Sequence, residues 1–506
     1  MHHNWSGGYV ADMTYSHGYY HELAPSFIRF FLLMNGYANA SQGGSYNYCE
    51  LGYGQGVSCN LHAAANPRGR FAGTDFNPEH ALFAQALAGQ GGLRPEQADW
   101  RALGFPDMLE VELPQFDFVT LHGVWSWIDG AARHALVEFL RRRLKLGGVV
   151  YLSYNVMPGW SAEKPLRDLL WLHTRQVGSR GAGTAARIEG ALAFADALRK
   201  GKASFFNANP PASQMLDDML RDDRHVVAHE YFNEAWHLTY FADVAEALDA
   251  ANLSFACSLH RSDLTGDVFQ RTQALGLNRL PTALRQTAND FVLNRRFRRD
   301  VFVRGAARMD ASQRDAALRE VSLVLQRPAS AIVPALQTPY GTVSLDAAIT
   351  RQIARVMAEI SRPISIGELI AQADLHSVQL ERVFEVLAAL VAQSQLAPVF
   401  TDDAACAGDA RCETMNRHVA ARARHDDVLR YLASPVTGQA VEASRTDRLL
   451  LLAWTLGARS PEALAALAMR EAGDAAAECA ARAEEFTASI VPLWRRLGIL
   501  AEGSAA

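Results

Sequence analysis

Residues Tyr48–Ser58 read YCELGYGQGVS, with glycines at 52, 54 and 56 closing a short apolar run that reads as a buried strand. A glycine-rich turn between strand and helix brings a ligand against bare backbone, and such turns serve NAD, FAD, nucleoside triphosphates and S-adenosylmethionine. The neighbouring residues discriminate among them.

A dinucleotide turn has the spacing G-x-G-x-x-G, and its third glycine would fall at Val57. A Walker loop is excluded because no Gly-Lys-Ser/Thr follows. Glu50, ahead of the first glycine, would repel a diphosphate but favours a ligand bearing an ammonium and a sulfonium. S-adenosylmethionine carries both, and its carboxylate would meet the N-terminus of the helix starting near Gly56. Asp75, 23 residues after Gly52, ends the next strand, "FAGTDFN", and is placed to accept ribose hydroxyls. Its alternative role is to cap the helix that follows. Phe76 is placed to stack on adenine, and Asp99-Trp100 offers a further contact, acid to the adenine amine with the ring beside it.

Outward from the turn, strand and helix signals alternate. "HELAPSFIRFFLLMNGY" (21–37) and "GVSCNLHAAANP" (56–67) read as helices, and "PEHALFAQALAG" (78–89) opens on proline and closes on glycine. "QFDFVTLHG" (115–123) and "VVYLSYN" (149–155) read as strands around the helix "AARHALVEFLRRRLKLGG" (131–148). This is the pattern of βαβ units on a parallel sheet. A helical stretch over 161–235 delays two late strands, one in "YFADVAEALDAANLSFACSLH" (240–260) and one in "RRFRRDVFVRG" (295–305). The order helix, helix, helix, strand over 345–400 is that of a winged helix, and 413–500 reads as a helical bundle. The expected organisation is a core with an N-terminal lid (1–160), a helical insertion (161–235) and late strands of the core or a regulatory region (236–305). A winged-helix-like domain (306–405) and a C-terminal helical domain (406–506) complete it.

Roughly half of the 506 residues are apolar, and the net charge is −5. That balance argues against a nucleic-acid partner. The winged-helix-like stretch has four arginines, no lysine and six acids over 345–400, so packing, dimerisation (a homodimer) or protein docking is the better reading there. No apolar run is long enough to span a membrane, and the opening residues lack the features of a secretory signal. Six scattered cysteines make no disulfide framework, and Cys406 and Cys412 lack the companions of a metal site. A reduced, cytoplasmic protein without a metal is expected.

Glu50-Leu-Gly-Tyr-Gly-Gln-Gly56 with Asp75 resembles the first two motifs of class I S-adenosylmethionine-dependent methyltransferases. "FDFVTLHGVWSWI" (116–128) and "LKLGGVVYLSYNVMPGW" (144–160) resemble their fourth- and fifth-strand motifs. The runs "DMTYSHGYYHELAP", "LHGVWSWI", "YLSYNVMPGW" and "RYLASPVTG" (430–438) resemble bacterial methyltransferases carrying a methyltransferase regulatory domain. That group is similar to rickettsial-type lysine methyltransferases of outer-membrane proteins. The resemblance implies a Rossmann-like α/β core with a seven-stranded sheet whose last strand is antiparallel. It also implies S-adenosylmethionine as cofactor and a macromolecular acceptor, such as protein lysine. A glycan or small-molecule acceptor, or a cofactor-sensing regulator without turnover, is the alternative.

Acceptor chemistry belongs at the C-terminal ends of the parallel strands. His122, a candidate proton acceptor that also lies against the cofactor, sits there with Gly123, Trp125 and Trp127. Tyr154, Asn155 and Trp160 follow the fifth strand. The tryptophans read as wall and core rather than an acceptor cage, and Tyr154 and Asn155 as orienting groups. "YSHGYYHEL" (15–23) reads as an aromatic lid or packing face, with Tyr15 and Tyr20 against the cofactor. Glu230, His237 and Tyr240 are further candidates for the acceptor side.

Overall fold

A computed structural model describes residues 17–38, 44–177, 183–264, 271–305, 307–400, 410–472 and 476–500. Helix α1 (Pro25–Met34) starts on proline and leads to strand β1 (Tyr46–Leu51). The chain then alternates α2 (Val57–Ala65), β2 (Gly69–Asp75), α3 (Pro78–Gln90), β3 (Ala98–Ala102), β4 (Phe116–Leu121) and β5 (Leu144–Asn155). β4 is buried at every position, as expected of a strand covered on both faces. β6 (Ser254–Ser258) and β7 (Phe297–Val303) complete a sheet of order β3-β2-β1-β4-β5-β7-β6. β7 runs antiparallel to both β5 and β6, as the resemblance implied. The strand order reverses between β1 and β4, so a crevice opens at their C-terminal ends, beside the glycine turn.

Between β5 and β6 the helices Lys164–Gln176, Thr184–Lys200, Pro210–Arg221 and Arg224–Tyr231 close around a core of their own, including Leu170, Leu192, Leu216 and Val227. Beyond the large sheet lie β8 (Ser322–Leu325), the hairpin β9 (Ala335–Thr338) and β10 (Gly341–Ser344), and then β11 (Ile364–Ser365) and β12 (Leu396–Val399). The helices Ala347–Glu359, Ile366–Gln372 and Leu380–Ala392 follow the winged-helix order. The central strand of their small sheet is β8, contributed from upstream of all three helices.

The C-terminal part is not purely helical. "RYLASPVTG", inside the expected bundle, begins a hairpin of β13 (Tyr431–Ser434) and β14 (Gln439–Glu442), turned at Gly438 with φ of +66°. Leu432, Ala433 and Ser434 are all fully buried, so these four-residue strands carry no polar alternation that would mark them in the sequence. The hairpin packs on α2. The Asn66 amide donates to the Gly438 carbonyl, Ser26 Oγ to the Thr437 carbonyl, and the Ala440 N–H to the Tyr19 hydroxyl. No helix among the described residues is long and apolar enough to cross a membrane.

Candidate active site

The turn after β1 requires glycine. Gly52, Gly54 and Gly56 have φ of +78°, +57° and +71°, a left-handed backbone that side chains strain. A Cβ at Gly52 would sit 2.5 Å from Val124 Cγ2, and one at Gly56 2.5 Å from Ala84 Cβ. The turn is braced from β2, because Gly52 N–H donates to the Thr74 carbonyl at 2.7 Å and Gly54 N–H to Asp75 Oδ2 at 2.9 Å.

Asp75 does not cap α3; Asn77 does, accepting from the Glu79 N–H. The Asp75 carboxylate is held instead by Gly54, by the Asn77 N–H at 3.0 Å and by His80 Nδ1 at 3.1 Å, both on Oδ1. A carboxylate has about four acceptor positions. Three are taken, and one on Oδ2 remains for a ligand hydroxyl.

Glu50 is buried, with no cationic side chain in ion-pair reach among the described residues; its neighbour is the Tyr48 hydroxyl at 3.3 Å. Burial pushes its carboxyl up to about 8, with Tyr48 opposing and Asp75 adding to the shift. A buried acid without a cationic partner beside bare glycine backbone fits the ammonium of S-adenosylmethionine. A cation bound there must displace the proton, so S-adenosylhomocysteine affinity is expected to rise with pH up to about 8 and then level off, by up to about tenfold per pH unit. Calorimetry across that range checks it, with Glu50→Gln expected to be flat; a flat wild-type profile would remove Glu50 from the site. The same raised carboxyl makes the ligand-free fold bind this proton more tightly than the unfolded chain. Its contribution to stability is therefore lost as pH rises from the ordinary carboxylate range through about 8.

His122 follows β4 and lines this cleft together with Tyr20, Glu50, the three glycines and Ser58. Its ring stacks on Tyr20 at 3.9 Å between centroids, and its Nδ1 lies 3.0 Å from the Tyr151 hydroxyl. Burial is the main cause of a pKa lowered to about 4, Glu22 opposing and Arg299 and His21 adding, so the imidazole is neutral at physiological pH. The Tyr20 backbone N–H donates to Ser58 Oγ, tying the lid segment to the first turn of α2. The space enclosed beneath the stacked rings is narrow, about 40 Å³.

The remaining expected residues scatter. Tyr154 is on the opposite face of β5 from Tyr151 and Ser153, where its hydroxyl donates to Asp300 Oδ2 at 2.7 Å; it does not face His122. Asn155 shares the Tyr151 face, and its N–H is held by Ser126 Oγ. Trp100 is packed beneath the turn against Tyr53 and donates from Nε1 to Asn60 Oδ1, while Asp99 pairs with Arg101. Phe76 is half-buried beside Asp75. Trp125 is core, and Trp127 and Trp160 cluster with Trp236. His237 and Tyr240 lie before the helix Phe241–Asp249, Tyr240 stacked on Phe291. Glu230 is exposed on the helix Arg224–Tyr231, and neither it, His237 nor Tyr240 lines the cleft. Tyr15 and Cys406 lie outside the described residues. Tyr48, Tyr151, His80, Glu22 and Arg299 were not singled out in the sequence. Only His80, in the first turn of the helix after Asp75, carried a positional signal.

A family model described as a methyltransferase domain matches residues 49–150, and one described as a predicted methyltransferase regulatory domain matches 223–304. The second match spans the two strands that complete the large sheet. The uncharacterized protein sll1526 of Synechocystis sp. is 33% identical over 452 residues, 89% of this chain and 88% of that protein. The uncharacterized protein RP789 of Rickettsia prowazekii is 25% identical over 275 residues, 51% of this chain and 46% of that one. In fold, the chain is similar to PKMT2 from Rickettsia typhi in complex with AdoHcy, with a TM-score of 0.68 and 18% identity over 96% of this chain and 99% of that one. The chain belongs to the class I S-adenosylmethionine-dependent methyltransferases that carry a methyltransferase regulatory domain, and S-adenosylmethionine is its cofactor.

Proposed function

We propose that this methyltransferase acts on a macromolecular acceptor, specifically protein lysine. The observation that carries the reading is the neutral His122 imidazole, set against the cofactor turn and oriented by the Tyr151 hydroxyl. In-line displacement needs alignment, a dry site and, for an amine, a neutral nucleophile. His122 raises no cationic barrier to an approaching amine, and the aromatic lid at Tyr20 excludes water. The likeness to PKMT2 supports a protein acceptor because it extends over the C-terminal half as well as the core.

In this reading Glu50 holds the cofactor ammonium, and Gly52, Gly54 and Gly56 admit its methionine portion. Asp75 takes a ribose hydroxyl, and Phe76 and Asp99 flank adenine. Trp100 supports the turn through Asn60. His122 and Asn155 face the acceptor, while Tyr154 acts only by holding β7. The chain divides into core and lid, helical insertion, late strands, winged-helix-like domain and C-terminal domain, as set out from the sequence.

Incubation of the full-length enzyme with methyl-labelled cofactor and cell lysate tests the acceptor. Label is expected in methyllysine after protein hydrolysis. Label confined to glycan or small-molecule fractions would reject the protein acceptor.

A further inference from the structure

Behind the wall formed by Tyr20–Glu22 lies a second cavity of about 320 Å³, at the lower end of the range of ligand sites. Its polar lining is His21 and Glu22 from the lid segment, His260 and Arg261 after β6, Arg299 on β7, and Gln337 and Thr338 on the β9–β10 hairpin; Phe27 and Leu259 supply apolar wall. Arg299 Nε lies 3.0 Å from Glu22 Oε1, so these two charges cancel. Burial favours the neutral Glu22 carboxyl, but the Arg299 guanidinium beside it outweighs this and holds the group well below the usual carboxylate range, fully charged. Burial keeps both lining histidines neutral, His260 down at about 3 with Nδ1 against Ser262 Oγ. Arg261 is half-buried and has no hydrogen bond or ion pair among the described residues. Glu22 attracts Arg261 as well as Arg299, so two guanidiniums share one carboxylate and the lining keeps one positive charge in excess, which a single negative charge would balance.

The lining of the cavity is linked to that of the cofactor cleft through side chains. His122 lines the cleft, its Nδ1 meets the Tyr151 hydroxyl, and Tyr151 interacts electrostatically with Arg299, which pairs with Glu22 on the cavity wall. We propose that this cavity binds a carboxylate of the acceptor molecule, with Arg261 as its counter-ion and the Glu22–Arg299 pair as a fixed wall. A carboxylate suits the site better than a phosphate dianion, because the lining has a single positive charge in excess. The assignment of the ligand to the acceptor rests on the methyltransferase site described above; the anion site itself does not. The carboxylate comes either from an acidic side chain near the methylated residue of a peptide or from a free organic acid.

Calorimetric titration of the full-length protein with N-acetyl-glutamate amide and, separately, with glutarate distinguishes the two sources. Saturable binding of the capped amino acid supports the peptide source, and binding of glutarate alone supports the free acid. In either arm Arg261→Gln is expected to weaken binding by roughly tenfold or more, with Arg261→Lys retaining part of it. S-adenosylhomocysteine affinity should be unchanged in both variants, which also reports that they fold. No saturable binding of either probe, equal binding by Arg261→Gln, or equal binding of N-acetyl-glutamine amide would overturn the carboxylate site. Failure to bind S-adenosylhomocysteine would count against the cofactor site and leave the carboxylate result standing on its own.

Discussion

Asp75→Ala is expected to weaken S-adenosylhomocysteine binding by roughly a hundredfold. A hydrogen bond to a charged group contributes about 1.5–3 kcal/mol, about 10- to 150-fold in affinity. The carboxylate is already oriented before ligand arrives, with Gly54 N–H on Oδ2 and both Asn77 N–H and His80 on Oδ1, so little ordering is required when a ribose hydroxyl takes the remaining position. Alanine removes that acceptor and also frees Gly54, the middle residue of a turn with three left-handed glycines, so the backbone face offered to the cofactor loosens as well. Asp75→Asn keeps the shape and one acceptor oxygen but not the charge, and an intermediate loss of about tenfold is expected. Calorimetry with S-adenosylhomocysteine measures both. An alanine variant binding within about threefold of wild type would mean that the ribose is held elsewhere.

Asp300→Ala is expected to destabilise the sheet by about 3–5 kcal/mol, the usual cost of leaving one partner of a buried ion pair alone. Arg298, Asp300 and Asp290 are all fully buried. Arg298 reaches Asp300 through two bonds, at 2.6 and 3.0 Å, and Asp290 Oδ1 at 2.6 Å, while Tyr154 donates to Asp300 from β5. The cluster fastens β7 to β5 and to the helix Thr282–Leu293. Tyr154→Phe removes one neutral donor and is expected to lose only about 1 kcal/mol. The urea midpoint of unfolding, together with hydrogen exchange in β7, reads both effects. A shift for Asp300→Ala no larger than that for Tyr154→Phe would show that Arg298 finds compensation elsewhere.

Glu50, the three glycines and Asp75 lie within one strand–turn–helix–strand unit, and local spacing was enough to bring them together. The parallel core and the position of the late strands were legible for the same reason, since apolar runs bounded by turn residues survive any context; the antiparallel direction of the last strand followed from the family resemblance. Tyr154 shows the limit. Its place at the end of the fifth strand was readable, but which face it takes depends on a period of two residues counted from the sheet's own register. The hairpin at 431–442 was hidden because both of its faces are covered.

What the sequence by itself determined is the methyl donor, because the chemistry that recognises it is carried by residues close together along the chain. What only the tertiary structure decided is the surroundings of His122 and the cavity behind it. Tyr20, Glu22, Tyr151, Arg261 and Arg299 come from four separate stretches of the chain and meet through sheet order and the folding back of the lid segment. Their partners, and hence their charges, are set by burial and by neighbours distant in the chain, which no local spacing records.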